Sequence, residues 1–375
     1  MTTHRDPVPR EQPHRATVAK RPGRGRTRSG GGRFLSLVVA LAAAMVVSTW
    51  LAVSVGAVYV ALPQAWGIVA DRLLPGAVVQ TWTPVQEQIV WDFRLPRALL
   101  ALLVGAGLAL VGAVLQALVR NPLADPFLLG VSSGASLGAV LVLVLGASAL
   151  GGLSLSAAAF AGSLIALALV YALAQRSGRI TPARLVLAGV ALAYLFQAVY
   201  SFVLQQAQSG RAAQQVLFWL MGSLGGARWE MLPLPAAVLA AGLVYLLLQH
   251  RPLNALAAGE ETAISLGVHV HRFRLSLFVL TSLLVGVLVA TSGAIAFVGL
   301  IVPHAARLLV GADHRRVLPV TALLGAAFLQ LVDVAARTVN APQELALSIV
   351  TAVVGVPFFL WLLRRRSPDR AVTVG

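Results

Sequence analysis

The feature that most constrains this chain is residues 98–119, a run of 22 residues without one charged side chain. As an α-helix the run would be about 33 Å long, at roughly 1.5 Å per residue, which is enough to cross the hydrocarbon core of a bilayer. The polar sequence RLPR (94–97) precedes it, and RNPLADP (120–126) follows it. Because proline suits a first helical turn and breaks a helix elsewhere, the helix is predicted to begin around Pro96 and to end before Pro122.

Similar apolar runs recur along the whole sequence. The chain is 58% hydrophobic and 11% charged, a composition that indicates an integral membrane protein and not a soluble globule. The predicted fold class is all-α, a polytopic membrane protein with about ten transmembrane helices. The predicted spans are residues 34–60, 98–119, 126–149, 153–174, 185–204, 232–249, 275–292, 294–311, 317–336 and 345–363.

The basic residues predict the orientation of these spans. With a cytosolic N-terminus, the predicted cytosolic segments hold 22 Lys and Arg residues and the outer segments hold 6, while Arg307 lies inside a span. This bias follows the positive-inside rule, so both termini are predicted to be cytosolic. Residues 1–33 are interpreted as a disordered basic tail, because the apolar run after them is too long for a signal peptide. Residues 366–375 form a second cytosolic tail. The net charge of +16 therefore reflects topology, and no nucleic-acid partner is expected.

Small side chains recur every fourth residue in two of the predicted spans. They are Ala101, Gly105, Ala109, Ala113 and Ala117 in the second span, and Gly130, Gly134 and Gly138 in the third. Such a stripe lets helix backbones approach closely in a membrane. Two alternatives are open: the stripes pack against other helices of the same chain, or they form a subunit interface.

Residues that carry catalysis or energy coupling are missing from the sequence. It contains no G-x-x-x-x-G-K-[S/T] phosphate loop, no G-x-S-x-G nucleophile elbow and no cysteine, so the chain is not expected to be an enzyme. The spans lack the midplane carboxylates that a proton-coupled carrier normally uses. Asp333 and Arg337 are four residues apart and are predicted to pair. The histidines suggest no metal site, and His304 is interpreted as structural.

The longest cytosolic loop, residues 251–274, is predicted to form two short amphipathic helices. Its apolar residues follow helical spacing, which is interrupted near Gly259. These helices could lie on the membrane surface or bind a partner protein.

Long, ordered motifs in this sequence resemble those of the FecCD-type permeases, the membrane subunits of ABC importers for iron–siderophore, haem and cobalamin. The matching motifs are RLPR (94–97), GAGLALVGAVLQ (105–116), RNPLADPFLLGVSSGA (120–135), FWLMGSL (218–224), LNALAAGEETAISLGV (253–268) and GAIAFVGLIVPHAAR (293–307). The resemblance runs from about residue 35 to residue 365.

This resemblance implies a permease domain, residues 34–365, that works as a homodimer and holds no cofactor of its own. Two cytosolic ABC ATPase subunits would bind ATP and Mg²⁺, and an extracytoplasmic substrate-binding protein would deliver the cargo. The implied location is the inner (cytoplasmic) membrane of a bacterial cell, in contact with membrane lipid. The implied function is import of a bulky metal chelate, with an iron(III)–siderophore as the favoured cargo and haem or cobalamin as alternatives. A gradient-driven secondary carrier is the alternative from another class.

Three groups of residues receive roles only through the resemblance. Coupling to the ATPase is implied for Leu253, Leu256, Gly259, Glu260, Leu266 and Gly267. Docking of the binding protein is implied for Arg94, Arg97 and Arg337, which could instead anchor helix ends. A cytosolic gate is implied for Asn121 and Leu123, although Asn121 could instead form the turn before Pro122.

Overall fold

Each of the predicted spans coincides with a helix in the computed structural model, which describes residues 29–365 except 57, 77, 177–178 and 208–209. In chain order the helices are α1 (Ser29–Ser54), α2 (Leu62–Leu73), α3 (Pro84–Gln88), α4 (Leu95–Val119), α5 (Val131–Leu145), α6 (Leu155–Ala174), α7 (Pro182–Gln205), α8 (Gly210–Leu220), α9 (Pro233–Leu248), α10 (His250–Ala258), α11 (Glu260–Ser265), α12 (Val270–Ser292), α13 (Val298–Val310), α14 (His314–Thr338) and α15 (Leu347–Arg365). Two short strands, β1 (Gln175–Arg176) and β2 (Arg179–Ile180), pair antiparallel between α6 and α7. The all-α, polytopic fold class is confirmed.

The helices differ in whether they are long enough to cross a membrane. Among the described residues, seven helical stretches have the necessary length and composition, and they contain α1, α4, α6, α7, α9, α12 and α14. Helices α5, α13 and α15 are apolar but shorter. Helix α13 has 13 residues, or about 20 Å, which is less than the roughly 30 Å hydrocarbon core. The count of ten spans therefore stays a prediction.

The predicted tails lie mostly outside the described residues. Residues 1–28 and 366–375 are not described. Helix α1 begins at Ser29, and the boundary of the first tail at residue 33 stays a prediction. A helix that is formed extends at the gain of one backbone hydrogen bond per residue, so the apolar helix continues into the glycine-rich residues before it.

The helix around RLPR does not begin at its proline. Helix α3 starts after Thr83, whose side chain accepts a hydrogen bond from Gln86 N while the Gln86 side chain accepts one from Thr83 N. A π-helical turn, Ile89–Arg94, then leads into α4 without a break. The prediction of a helix start at Pro96 is thus wrong. The capping residues at Thr83 and Gln86 satisfy the free N–H groups instead.

Helix α4 is the most enclosed of the described membrane helices. Of its 25 residues, 20 are buried, and it packs against α1, α9, α12, α13 and α14. The two largest hydrophobic clusters meet along it, one shared with α5, α6 and α12 and the other with α13 and α14. Helix α4 is therefore the centre of the bundle.

The small-residue stripes pack within the chain. A Cβ atom added to Gly105 would overlap the carbonyl oxygen of Gly325 in α14, and one added to Gly325 would overlap that of Gly105. In α5, a Cβ added to Gly138 would overlap the backbone of Ala158 in α6. These contacts confirm the intrachain alternative for the stripes, since a larger side chain at these positions would push two helices apart.

We expect Gly105→Ala to destabilise the protein, although alanine is the better helix former. Because the added methyl group forces α4 and α14 apart, the free energy of unfolding should fall by about 1–3 kcal/mol, whereas helix propensity alone predicts a gain of about 1 kcal/mol. Thermal unfolding in detergent measures the change. Gly226→Ala is the matched control, because a Cβ there meets no atom within 4 Å. An unfolding temperature at or above that of the wild type would contradict the contact.

Candidate functional site

At the end of the bundle that the charge count places outside, Asp333 of α14 lies between two arginines. The Asp333 side chain is fully buried. It accepts hydrogen bonds from Arg97 Nε of α4 at 2.9 and 3.2 Å, and it lies 3.4 Å from Arg337 Nε. The second distance confirms the predicted pair four residues apart. A buried carboxylate without a counter-charge is strongly unfavourable, and the two guanidinium groups supply that counter-charge to Asp333.

Arg97 extends this cluster to the loop between α14 and α15. Its two terminal nitrogens donate to Glu344 at 2.8 and 3.0 Å. The Arg97 side chain is 11% exposed and the Glu344 side chain 35%. One guanidinium thus joins α4, α14 and an outer loop. The sequence prediction missed Glu344. The chain has only 13 acidic residues, so each acidic residue in an outer segment could have been considered as a partner for the outer arginines.

Arg94 and Arg337 bind the C-terminal end of α1. Arg94 donates to the carbonyl oxygens of Val53 at 3.2 Å and Ser54 at 2.9 Å, and Arg337 donates to that of Ala52 at 2.6 Å. The last carbonyl groups of a helix have no partner within the helix and carry partial negative charge, so cations beside them are stabilising.

The docking role implied for Arg94, Arg97 and Arg337 stays a prediction. All three guanidinium groups are turned inwards and are bonded within the chain. This geometry supports the alternative in which they anchor helix ends. The outer-segment arginines with exposed side chains and no ion pair to any described residue are Arg211 and Arg228.

The predicted pair of short cytosolic helices is confirmed as α10 and α11. Gly259 separates them with φ at 141°, a backbone conformation that favours glycine because it has no Cβ. Glu260 follows as the first residue of α11 and accepts a hydrogen bond from Arg274 Nη2 at 2.7 Å. This hydrogen bond is the main cause that lowers the pKa of Glu260. Partial burial acts in the opposite direction and raises the pKa, whereas the positive charges of Arg274 and Arg120 lower it further.

The implied coupling residues divide into a buried and an exposed group. Leu253 and Leu256 are fully buried and belong to the main hydrophobic cluster, and the coupling role implied for this region stays a prediction. Leu266 is 68% exposed and its neighbour Gly267 is also exposed. Ile264, which the sequence prediction did not select, is 59% exposed. The outward apolar surface of this region is thus formed by Ile264 and Leu266.

Helix α10 is tied to the start of α14 by Asn254. Its Nδ2 donates to Asp313 Oδ1 at 2.8 Å, and its Oδ1 accepts from His314 N at 2.9 Å. The hydrogen bond from Asn254 is also the main cause that lowers the pKa of Asp313. The sequence prediction missed this contact, because an Asn in an amphipathic helix gives no sign of a partner 59 residues away. A displacement of α10 must therefore move or break its link to α14.

The implied gate residues lie in the turn after α4. Asn121 Oδ1 accepts a hydrogen bond from Leu123 N at 2.9 Å, which confirms the turn-forming alternative for Asn121. Leu123 is 50% exposed, and the gate role of both residues stays a prediction. Asp125 in the same segment accepts from Phe127 N at 2.9 Å. Burial raises the pKa of Asp125 to about 6, against the effect of that hydrogen bond.

Three further polar residues of the spans, Arg307, Gln116 and His304, contact neighbouring helices. Arg307 of α13 donates to Gln116 Oε1 of α4, and Gln116 Nε2 donates to the carbonyl oxygen of Gly299 at 3.1 Å. His304 is buried, with its ring centre 6.1 Å from that of Phe358. Within the described residues, no group of three His, Asp or Glu side chains is placed to hold a metal ion.

The structure combines three features that fit a membrane transport subunit. They are a bundle of membrane helices, a charged cluster at its predicted outer end and two short helices at the other end. The chain belongs to the FecCD transport family, whose profile matches residues 44–365. It is the permease subunit of an ABC importer and spans the membrane several times.

Two relatives and two solved structures are similar to the chain. It is 45% identical over 332 residues to the cobalamin import system permease protein BtuC of Halobacterium salinarum, covering 86% of this chain and 88% of the relative. It is 44% identical over 281 residues to the vitamin B12 import system permease protein BtuC of Salmonella paratyphi A, covering 75% and 85%. A structure described as an inward-facing metal-chelate type ABC transporter is 35% identical, with a TM-score of 0.75 over 88% of this chain and 99% of that one. PsaBC from Streptococcus pneumoniae, solved with a Fab, is 18% identical with a TM-score of 0.50 over 74% and 93% and shows the fold alone.

We expect Asp333→Asn to lower the free energy of unfolding by about 3–5 kcal/mol, because it leaves two buried guanidinium groups without their shared counter-charge. Glu344→Gln is the matched control. It removes a carboxylate from the same Arg97, but Glu344 is partly exposed, and an ion pair at the surface contributes only about 0–1 kcal/mol. Thermal unfolding of both variants in the same detergent gives the comparison. Similar losses in the two variants would show that burial of Asp333 between the arginines is not what stabilises this end.

Proposed function

We propose that this chain is the membrane permease subunit of an ATP-driven cobalamin importer. The observation that carries the proposal is the identity shared with permeases named for cobalamin and vitamin B12 over most of both chains. The iron(III)–siderophore favoured by the sequence prediction is not supported by these relatives, whereas its cobalamin alternative is. A metal-chelate type transporter as structural neighbour agrees with this cargo, because cobalamin is itself a cobalt chelate.

The proposal includes the partners that such an importer needs. The chain would form a homodimer in the inner (cytoplasmic) membrane, with both termini cytosolic. Two cytosolic ABC ATPase subunits would bind ATP and Mg²⁺, and a substrate-binding protein outside the membrane would deliver the cargo. The sequence contains no phosphate-binding loop of the G-x-x-x-x-G-K-[S/T] type, which would bind a nucleoside triphosphate. This supports a separate ATPase subunit.

Two helices offer apolar surface for the homodimer and its transport path. The large exposed side chains include Leu187, Tyr194, Leu195 and Phe202 on α7, and Val353, Val356 and Leu360 on α15. Both helices lie at the periphery of the bundle, where α7 contacts mainly α5 and α6. A second copy packed against these exposed surfaces would bury apolar side chains of both subunits, and a path beside them would be largely apolar.

The ATPase is proposed to bind the exposed side of α10 and α11. Ile264 and Leu266 are large apolar side chains outside the membrane spans, and each is more than half exposed. Exposed apolar residues that are clustered outside a bilayer are typical of a protein interface. Asn254 would pass the force of the ATPase to α14 through Asp313 and His314.

We expect the double variant Ile264→Glu, Leu266→Glu to bind the ATPase at least about tenfold more weakly, because two buried apolar contacts are lost from the interface. Affinity is measured between the purified permease and its ATPase, together with ATPase stimulation. Leu74→Glu is the control, since Leu74 is equally exposed but lies in the predicted outer segment. Leu256→Glu should instead lower the unfolding temperature of the permease itself. Unchanged ATPase affinity of the double variant would refute the assigned surface.

The function is tested by transport in liposomes. The chain is reconstituted with its ATPase and binding protein, and uptake of labelled cobalamin is measured with and without ATP and vanadate. ATP-dependent, vanadate-sensitive uptake is the expected result. Uptake of a ferric siderophore or of haem in place of cobalamin would overturn the cargo and leave the importer class intact. Uptake without the ATPase, driven by a pH or sodium gradient, would instead establish a secondary carrier.

A further inference from the structure

Two adjoining cavities follow the side of α9 and α12 from the cytosolic loop into the membrane region. The first, of about 770 Å³, lies where α9, α10 and the start of α12 meet. The second, of about 740 Å³, lies between α9 and α12 further into the spans. Tyr245, Arg272 and Ser276 line both. The two cavities therefore form one continuous groove, which we call the α9–α12 groove.

The cytosolic end of the α9–α12 groove is positively charged. Arg251, Arg272 and His269 line the first cavity, and none of its lining residues carries a carboxylate. The side chains of Arg251 and Arg272 are exposed. Neither forms an ion pair with any residue that the structure describes. Two cations without counter-charge thus face the same cavity at one end of the groove.

The membrane end of the α9–α12 groove is apolar. Its walls include Val238, Ala241, Leu275, Val279 and Leu283. The hydroxyl groups of Tyr245 and Ser276, which lie at the boundary between the cavities, are 2.7 Å apart and satisfy each other. The groove therefore changes from cationic to hydrocarbon-like along its length and exposes few unsatisfied polar groups in the apolar part.

We propose that the α9–α12 groove binds one anionic phospholipid of the cytosolic leaflet. The phosphate group lies between Arg251 and Arg272, and an acyl chain lies against α9 and α12. A free phosphate would leave the apolar part empty, and a zwitterionic lipid would leave the two arginines without a net counter-charge. Residues 251–274, which include both arginines, are predicted to be cytosolic by the charge count. The cytosolic leaflet of the membrane is rich in anionic lipid.

The position of the groove makes this lipid a neighbour of the two short cytosolic helices. Ala255 of α10 and Leu266, just after α11, also line the first cavity. A lipid headgroup there contacts this pair of helices and Leu266, while Ile264, which does not line the cavity, remains exposed on the side proposed for the ATPase. The binding site itself does not depend on the cargo or on the ATPase.

The test measures lipid binding by the full-length chain, purified in detergent and stripped of lipid. Phosphatidylglycerol, phosphatidylcholine and glycerol 3-phosphate are titrated separately, and bound lipid is counted by native mass spectrometry. We expect one saturable phosphatidylglycerol site and much weaker binding of the other two. Arg251→Gln and Arg272→Gln should each weaken it about fivefold and the double variant about 30-fold, from the usual contribution of a basic residue near anionic lipid.

Two further variants keep the test decisive. Arg315→Gln removes an exposed cytosolic arginine that does not line the α9–α12 groove and should leave the affinity unchanged. Ala241→Phe fills the apolar part and should weaken phosphatidylglycerol without creating glycerol 3-phosphate binding. Equal affinities for the two lipids, equal effects of Arg315→Gln and Arg272→Gln, or binding of glycerol 3-phosphate alone would overturn the proposal. Unfolding temperatures of all variants identify any that fail to fold. If the double variant or Ala241→Phe is among them, the single arginine variants decide whether the groove binds the lipid.

Discussion

Close contact between helix backbones is the constraint on which the rest of this structure depends. Lipid is as apolar as the helix surfaces, so no hydrophobic force holds the spans together and packing must do so. Helix α4 meets this requirement with Gly105 against Gly325 and with Gly112 against Gly299. Polar contacts then fix the arrangement. Gln330 of α14 donates to the carbonyl oxygen of Ala98 at 3.1 Å and to Thr49 of α1 at 2.8 Å, so that one amide joins three helices.

The charged groups are concentrated at the two ends of this bundle, where partners of a transport subunit would bind. Helices α4 and α14 both reach from one end to the other. At the outer end Arg97 and Asp333 join them, and at the cytosolic end α14 meets α10 through Asn254. A packed helix transmits displacement because protein interiors are nearly incompressible. The contacts thus give the importer a continuous mechanical connection between the surface proposed for the ATPase and the outer charge cluster.

The sequence was sufficient where a pattern is local. Each hydrophobic run that was predicted to be a span coincides with a helix, and the break at Gly259 predicted α10 and α11. It failed where the partner is distant. RLPR indicated a helix start, but capping residues further upstream and a π-helical turn move the start to α3. Helical spacing placed both Leu256 and Leu266 on the apolar faces of the two short helices. Leu256 is buried against the bundle, whereas Leu266 is exposed, because the spacing of apolar residues does not reveal which neighbour covers a side chain.

By itself, the sequence determined the environment of the chain and the type and order of its main helices, since each span must satisfy its own backbone hydrogen bonds in lipid. It also determined the family through long ordered motifs. Only the tertiary structure decided which charges meet. Arg97 and Glu344 are 247 residues apart in the chain, and Arg94 lies against the end of α1 only because α4 and α1 pack side by side. In this structure the guanidinium groups of the three arginines that the resemblance suggested as docking residues are bonded within the chain at the outer end, and their docking role stays a prediction.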